Sequence, residues 1–295
     1  MKPSFRSRVA RALPGLIRFL FMCMVGVVFI LPFYWSLLTS LRPNDQIFSA
    51  TINLLPTSVT LDHYKSALAT IPFFRYTLNT AVITLAGLAL NLIFGSLAGY
   101  AFARINFKGR EIIFKIMISA LMLPSIAILI PQFLVLARFP LAGGNNIFGQ
   151  GGNGFVNNVM GVILPGGVGI FGVFFMRQFF LSLPGDLGEA AKVDGAGELR
   201  IFGQIYMPLT KPALATLAVF CFHAGWNSFL WPNIILQGES RKVLTQGLQA
   251  FVYKNNTDFG PLMAASILIS LPVFVLFAFC QKYFIQGIAL SGTKE

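Results

Sequence analysis

The chain has 295 residues, 56% of them apolar, 14% aromatic and only 11% charged. Soluble domains carry about 25% charged residues, so a soluble globular fold, a disordered chain and a disulfide scaffold are all excluded. Lys and Arg outnumber Asp and Glu 22 to 10, and on so apolar a chain that excess fits a polytopic membrane protein with basic loops better than a nucleic-acid binder.

Six stretches are long and apolar enough to cross a bilayer, which takes roughly 20 residues. The first, about 17–41, follows Lys2, Arg6, Arg8 and Arg11 and so begins like a signal peptide. Its apolar part, Phe19 to Leu38, is too long for a cleaved signal and no Ala-x-Ala site follows, so it reads as a retained anchor. The others lie at about 78–103, 112–137, 155–176, 213–235 and 262–281. An N-terminus on the inside puts 15 Lys and Arg on that side and 7 on the other. The positive-inside rule then makes both termini cytoplasmic, in agreement with an even number of crossings.

Pro32, Pro124, Pro131, Pro165 and Pro272 interrupt the spans, and Gly166-Gly167 follows one of them. Such breaks free backbone carbonyls that need partners, and they suit either ordinary kinks in a packed bundle or the lining of a pathway. The outer loop 141–154 holds six glycines and three asparagines but lacks the Lys-Ser/Thr of a phosphate loop, so it reads as a flexible external loop. Cys23, Cys221 and Cys280 sit in apolar runs without CxxC spacing and read as buried small hydrophobes.

All ten acidic residues lie outside the spans, where a proton- or sodium-driven carrier keeps a carboxylate near the midplane. Only His223 is ionisable deep in a span. There is no GxxxxGK[ST], HExxH or GxSxG, so the chain neither supplies a nucleotide site nor reads as an enzyme. In the fifth span His223, Asn227 and Trp231 fall at i, i+4 and i+8 on one helix face. That face suits lining a sugar pathway, or packing against a partner with Trp231 as an interfacial anchor.

The inner loop 177–212 differs from everything around it, holding four of the ten acids and four bases. Pro184 and Asp186 suit a helix start, Glu189-Ala190-Ala191-Lys192 continues it, and Gly195 suits a left-handed stop. A second short helix follows from about Gly197 to Tyr206, closing before Pro208. The spacing predicts a helix-turn-helix too polar for the membrane and too short for a domain.

Glu189-Ala190-Ala191, Asp194-Gly195-Ala196, Phe202, Ile205, Pro208 and Pro212 resemble, nearly position for position, the EAA loop of ABC-importer permeases. The Asp-Gly-Ala form and the Phe-x-x-Ile-x-x-Pro that follows are most similar to carbohydrate-uptake permeases of the maltose-system type, specifically the smaller six-span subunit. The resemblance implies an all-α polytopic membrane protein with six transmembrane helices and a cytoplasmic coupling helix-turn-helix between spans 4 and 5. It also implies one permease domain over 1–295, with an anchor span at 17–41, a core at about 78–281 and a coupling loop at about 184–212. By the same resemblance Glu189, Ala190, Ala191, Asp194, Gly195, Ala196, Phe202, Ile205 and Pro208 form the ATPase-coupling element. Glu189 would make polar contacts in the ATPase cleft, Gly195 the turn, and the alanines a close approach, although plain helix propensity also accounts for alanine there. His223, Asn227 and Trp231 are candidates for lining a pathway, and Tyr253, Asn255 and Asn256 for touching a binding protein. The tail Gln286 to Gly292 resembles a family ending that can reach the ATPase interface.

The expected partners are a second permease subunit in a heterodimer, two ATP-binding subunits, an extracytoplasmic solute-binding protein and the membrane, with no nucleic acid. No cofactor is expected on this chain, ATP and Mg belonging to the partner ATPases. The expected location is the prokaryotic inner (plasma) membrane, multi-pass. The expected function is a non-catalytic permease subunit for import of a sugar or sugar-like solute. The rival reading is a stand-alone secondary carrier or channel.

Overall fold

The computed structural model describes residues 5–48, 53–252 and 257–292, with side chains over 14–48, 53–252 and 257–281. In chain order the main helices are α1 (Phe5–Leu41), α2 (Asp62–Thr70), α3 (Phe73–Arg104), α4 (Arg110–Met122), α5 (Ser125–Ala137), α6 (Met160–Gly167) and α7 (Ile170–Ser182). They are followed by α8 (Asp186–Val193), α9 (Glu198–Leu209), α10 (Lys211–Trp226), α11 (Leu230–Ile235) and α12 (Phe259–Gly292). Among the described residues there is no β-strand, only an isolated bridge between Val252 and Thr257.

Four stretches are long and apolar enough to cross a membrane: Pro14–Leu41, Phe73–Arg104, Met160–Ser182 and Phe259–Gln281. Two more, α4 with α5 and α9 with α10, pass only when each pair is taken together, and they are bent by 108° and 78°. The protein is an all-α polytopic membrane protein. The sharper bend has a local cause. Pro124 holds Leu123 extended at ψ 126° and ends α4. The predicted span 155–176 becomes helical only at Met160, is interrupted at Val168-Gly169 and then runs on to Ser182. The predicted span 213–235 is likewise cut, between Trp226 and Leu230.

Two compact units are present, Met1–Ile71 with Leu248–Ser270, and Pro72–Gly247 with Leu271–Glu295. In the first, the apolar side chains of α1 point outward almost throughout, Phe29 being 73% exposed, which is the surface a helix presents to lipid or to another chain. Beyond α1 the buried Arg42 donates to the Asn53 carbonyl and lies over the Trp35 ring. The Arg42 carbonyl accepts from His63 Nε2 at 2.7 Å. Gly260 packs flush on the His63 ring, leaving no room for a Cβ.

The second unit is built on α3, which packs against α6, α7 and α10. Small residues make the closest approach. A Cβ at Gly99 would fall 2.7 Å from Met176 Cβ and 2.9 Å from the Arg177 backbone nitrogen, and Gly95 faces Gly172. This Gly-x-x-x-Gly spacing substitutes van der Waals contact for the hydrophobic effect that lipid does not supply. At the end of α3, Arg177 donates to both carboxylate oxygens of Glu111 (3.0 and 3.2 Å) and to the Phe102 carbonyl (3.2 Å), with its guanidinium 3.9 Å from the Phe114 ring centroid. One ion pair, a single Arg177 nitrogen shared between both Glu111 oxygens, thus ties α7 to the beginning of α4.

Candidate functional site

The loop that the sequence singles out folds as a helical peg. Asp186 and Glu189 stand in the first turn of α8, where the helix dipole favours negative charge, and Lys192 in the last. The turn is a Schellman motif: Ala196 N–H donates to the Ala191 carbonyl (2.9 Å) and Gly195 N–H to the Lys192 carbonyl (3.0 Å). Gly195 has φ +79°, a region that L side chains enter only at a cost. The second helix, α9, begins at Glu198, takes a π-helical path over Ile201–Tyr206 and continues through Pro208 to Leu209. The expected closure before Pro208 therefore comes two residues later, at Thr210. Pro208 sits in the first turn of the segment after the π stretch, where its missing N–H removes little.

The peg has two faces. Ala191, Ile201 and Tyr206 are buried and pack with Tyr100 and Phe180, while Ala196, Phe202 and Ile205 pack partly buried against them. The outer face carries Glu189, Ala190, Asp194, Gly195 and Pro208, all exposed, together with Val193 at 89% and Leu199 at 80% exposure. Among the described residues the Glu189 carboxylate has no hydrogen-bond or ion-pair partner.

Glu198, which sequence reasoning missed, anchors the peg. One carboxylate oxygen pairs with Lys192 Nζ at 2.6 Å, and the other accepts from Tyr100 Oη at 2.8 Å. The Lys192 hydrogen bond holds the carboxyl below the ordinary carboxylate range; burial opposes the shift and Tyr100 adds to it. Arg104 completes the seat, donating to the Phe180 and Leu183 carbonyls and lying 5.0 Å from the Tyr206 ring centroid. A movement of α8 and α9 is thereby joined to the end of α3.

A second feature lies at the helix breaks. A cavity of about 790 Å³ is lined by Thr84 and Asn91 of α3, by Ser125 and Gln132 of α5, by the Gly166–Gly169 break, and by His223, Ser228 and Trp231. Asn91 explains how the middle break is tolerated, because its Nδ2 donates to the freed Gly166 carbonyl at 2.6 Å. Gly169 and Gly172 lie so close to that amide that neither admits a side chain without displacing it.

His223 and Trp231 both line this cavity, but not from one helix face as the spacing implied, since α10 ends at Trp226 and α11 starts at Leu230. Asn227 does not line it. Exposed, it folds back on its own helix, its Nδ2 donating to the His223 carbonyl at 3.1 Å at the end of α10. Trp231 Nε1 donates to the Gly161 carbonyl at 3.0 Å, which fixes its ring. A polar residue inside an apolar run was the signal for Asn91, Thr84 and Gln132.

Tyr253, Asn255 and Asn256 lie outside the described residues, as do the side chains of the tail from 282 on, although the backbone is helical through Gly292. Cys23 is exposed rather than buried, and Cys221 and Cys280 are half-buried. The glycine-rich loop is closely turned: Asn145 Nδ2 donates to the Ala137 and Phe139 carbonyls, and its Oδ1 accepts from Gly152 N–H.

A membrane bundle with broken helices around a cavity, and a polar helical peg seated on its core, defines a membrane transport component. The chain belongs to the family described as "Binding-protein-dependent transport system inner membrane component", whose model matches residues 91–290. It is 33% identical over 278 residues to the arabinooligosaccharides transport system permease protein AraQ of Bacillus subtilis (strain 168), covering 93% of this chain and 94% of that one. It is 33% identical to the maltodextrin transport system permease protein MdxG of the same organism, covering 97% and 98%. The diacetylchitobiose uptake system permease protein NgcG of Streptomyces coelicolor is 31% identical, covering 91% and 85%. A solved bacterial ABC transporter involved in the import of the acidic polysaccharide alginate shares the fold, with a TM-score of 0.78 at 23% identity over 96% of this chain and 99% of that one. The chain is a multi-pass, non-catalytic transport component.

Proposed function

We propose that this chain is one of two permease subunits of an ATP-driven importer for a sugar or sugar-like solute, with six crossings and both termini in the cytoplasm. A second permease completes the membrane part, an extracytoplasmic binding protein delivers the solute, and two ATPase subunits bind ATP and Mg. The near full-length identity to sugar permeases carries this reading, and the peg supports its mechanical part. Glu189, Val193, Asp194 and Leu199 present mixed polar and apolar contacts outward, while Ala191, Tyr206 and Glu198 fix the base, so ATPase closure pushes on a rigid element. Alternating access then opens and closes the bundle.

The test is co-purification with the cognate ATPase. The wild type retains the ATPase, and Glu189→Lys or Gly195→Val loses it and abolishes uptake at normal membrane levels. Normal uptake in both variants refutes the coupling role. An independent carrier instead transports when reconstituted alone.

A further inference from the structure

Building on the importer reading, we infer that this chain itself touches the travelling solute, in the cavity at the helix breaks, and that this wall accepts neutral glycans and rejects anionic ones. The volume, about 790 Å³, lies in the range of about 300–1,000 Å³ that holds small molecules. Gln132, Ser125 and Ser228 offer donors and acceptors for hydroxyls. Trp231, its indole N–H already committed to the Gly161 carbonyl, offers a fixed aromatic body of the kind that packs on a sugar ring.

The charge balance decides the class. The chain carries 22 Lys and Arg, yet the lining holds no Lys, Arg, Asp or Glu, and the His223 imidazole is its one ionisable side chain apart from the Cys221 thiol. A carboxylate entering such a wall gives up water and meets no guanidinium or ammonium group, only the single imidazole of His223, which is unfavourable. Neutral hydroxyls exchange water for hydrogen bonds at little net cost. The alginate importer of the same fold handles an acidic polysaccharide, so the backbone architecture alone does not set this preference; the lining does.

Cys221 also lines the cavity and serves as the reporter. The importer complex, with Cys23→Ala and Cys280→Ala in this chain, is treated with an uncharged maleimide. Lactose, maltotriose, chitobiose or a glucuronic-acid-terminated disaccharide is present at equal concentration. Cys221 is expected to react in the resting complex. At least one neutral sugar should slow labelling threefold or more, and the uronate should leave the rate unchanged. Gln132→Arg should make the uronate protective; Ser125→Lys serves if that variant does not assemble. An unreactive Cys221, as when the partner permease fills the cavity, or no protection by any neutral sugar, overturns direct contact. Equal protection by the uronate in the wild type overturns charge selection. Either result stands apart from the importer reading, which fails only if the complete system takes up no sugar.

Discussion

Gly195 illustrates a residue whose role is purely conformational. Its φ is +79° and a Cβ would meet nothing within 4 Å, so substitution costs backbone strain and no clash. Gly195→Ala is expected to destabilise the peg by about 1–2 kcal/mol and Gly195→Asn by less, because asparagine enters the left-handed region more readily. Uptake at equal membrane level should rank Gly, Asn, Ala, Val; equal uptake for Val and Gly would contradict the turn's importance. Glu198 is the electrostatic counterpart. Its folded pKa is lowered below the ordinary value of 4.5, so its stabilisation is complete above that value and disappears as pH falls through the folded pKa. Wild-type complex should therefore lose ATPase more steeply below pH 4.5 than Glu198→Gln does, as followed by co-elution against pH. Parallel curves would assign the acid sensitivity to other groups.

At the scale of elements, the pattern of each segment and the breaks marked by Pro124 and Pro165 could be read in the sequence, and what could not was which group satisfies a break or where an unmarked run is cut. The peg was legible because Asp186, Gly195 and the spacing to Pro208 are local signals. The cut after Gly167 was announced by Pro165 and Gly166-Gly167, but the group that satisfies it was not; the cut at Asn227 to Phe229 was not legible, because apolar residues continue on both sides. Asn91 lies 75 residues from the Gly166 carbonyl it satisfies. Asn91→Leu should leave that carbonyl unpaired at a cost of about 1–3 kcal/mol, seen as a lower thermal midpoint in detergent; an unchanged midpoint would show the carbonyl finding another donor. Helix contact makes a second contrast. Gly99→Leu overlaps Met176 and should prevent α3 and α7 from closing, whereas Gly26→Leu on α1 meets nothing within 4 Å of this chain. Comparable yields of folded protein for both would argue against the Gly-x-x-x-Gly contact.

For the whole molecule, the proposed orientation rests on 15 bases on the side assigned to the cytoplasm against 7 on the other. Several of the bases that this orientation assigns to the inside have an additional use in the structure. Arg104 seats the peg, Arg177 binds Glu111, and Lys192 binds Glu198. The N-terminal tail, with Lys2, Arg6, Arg8, Arg11 and Arg18, is the largest single contribution to the bias. Replacing all five by glutamine leaves ten against seven, still in the original sense and now carried by the loops flanking the core. The positive-inside rule counts those short loops as well as the first span, and inversion would drag the polar peg with its four acids through the membrane. A reporter at the C-terminus is therefore expected to remain cytoplasmic in the glutamine variant. An extracytoplasmic C-terminal reporter would show that the tail alone orients the chain.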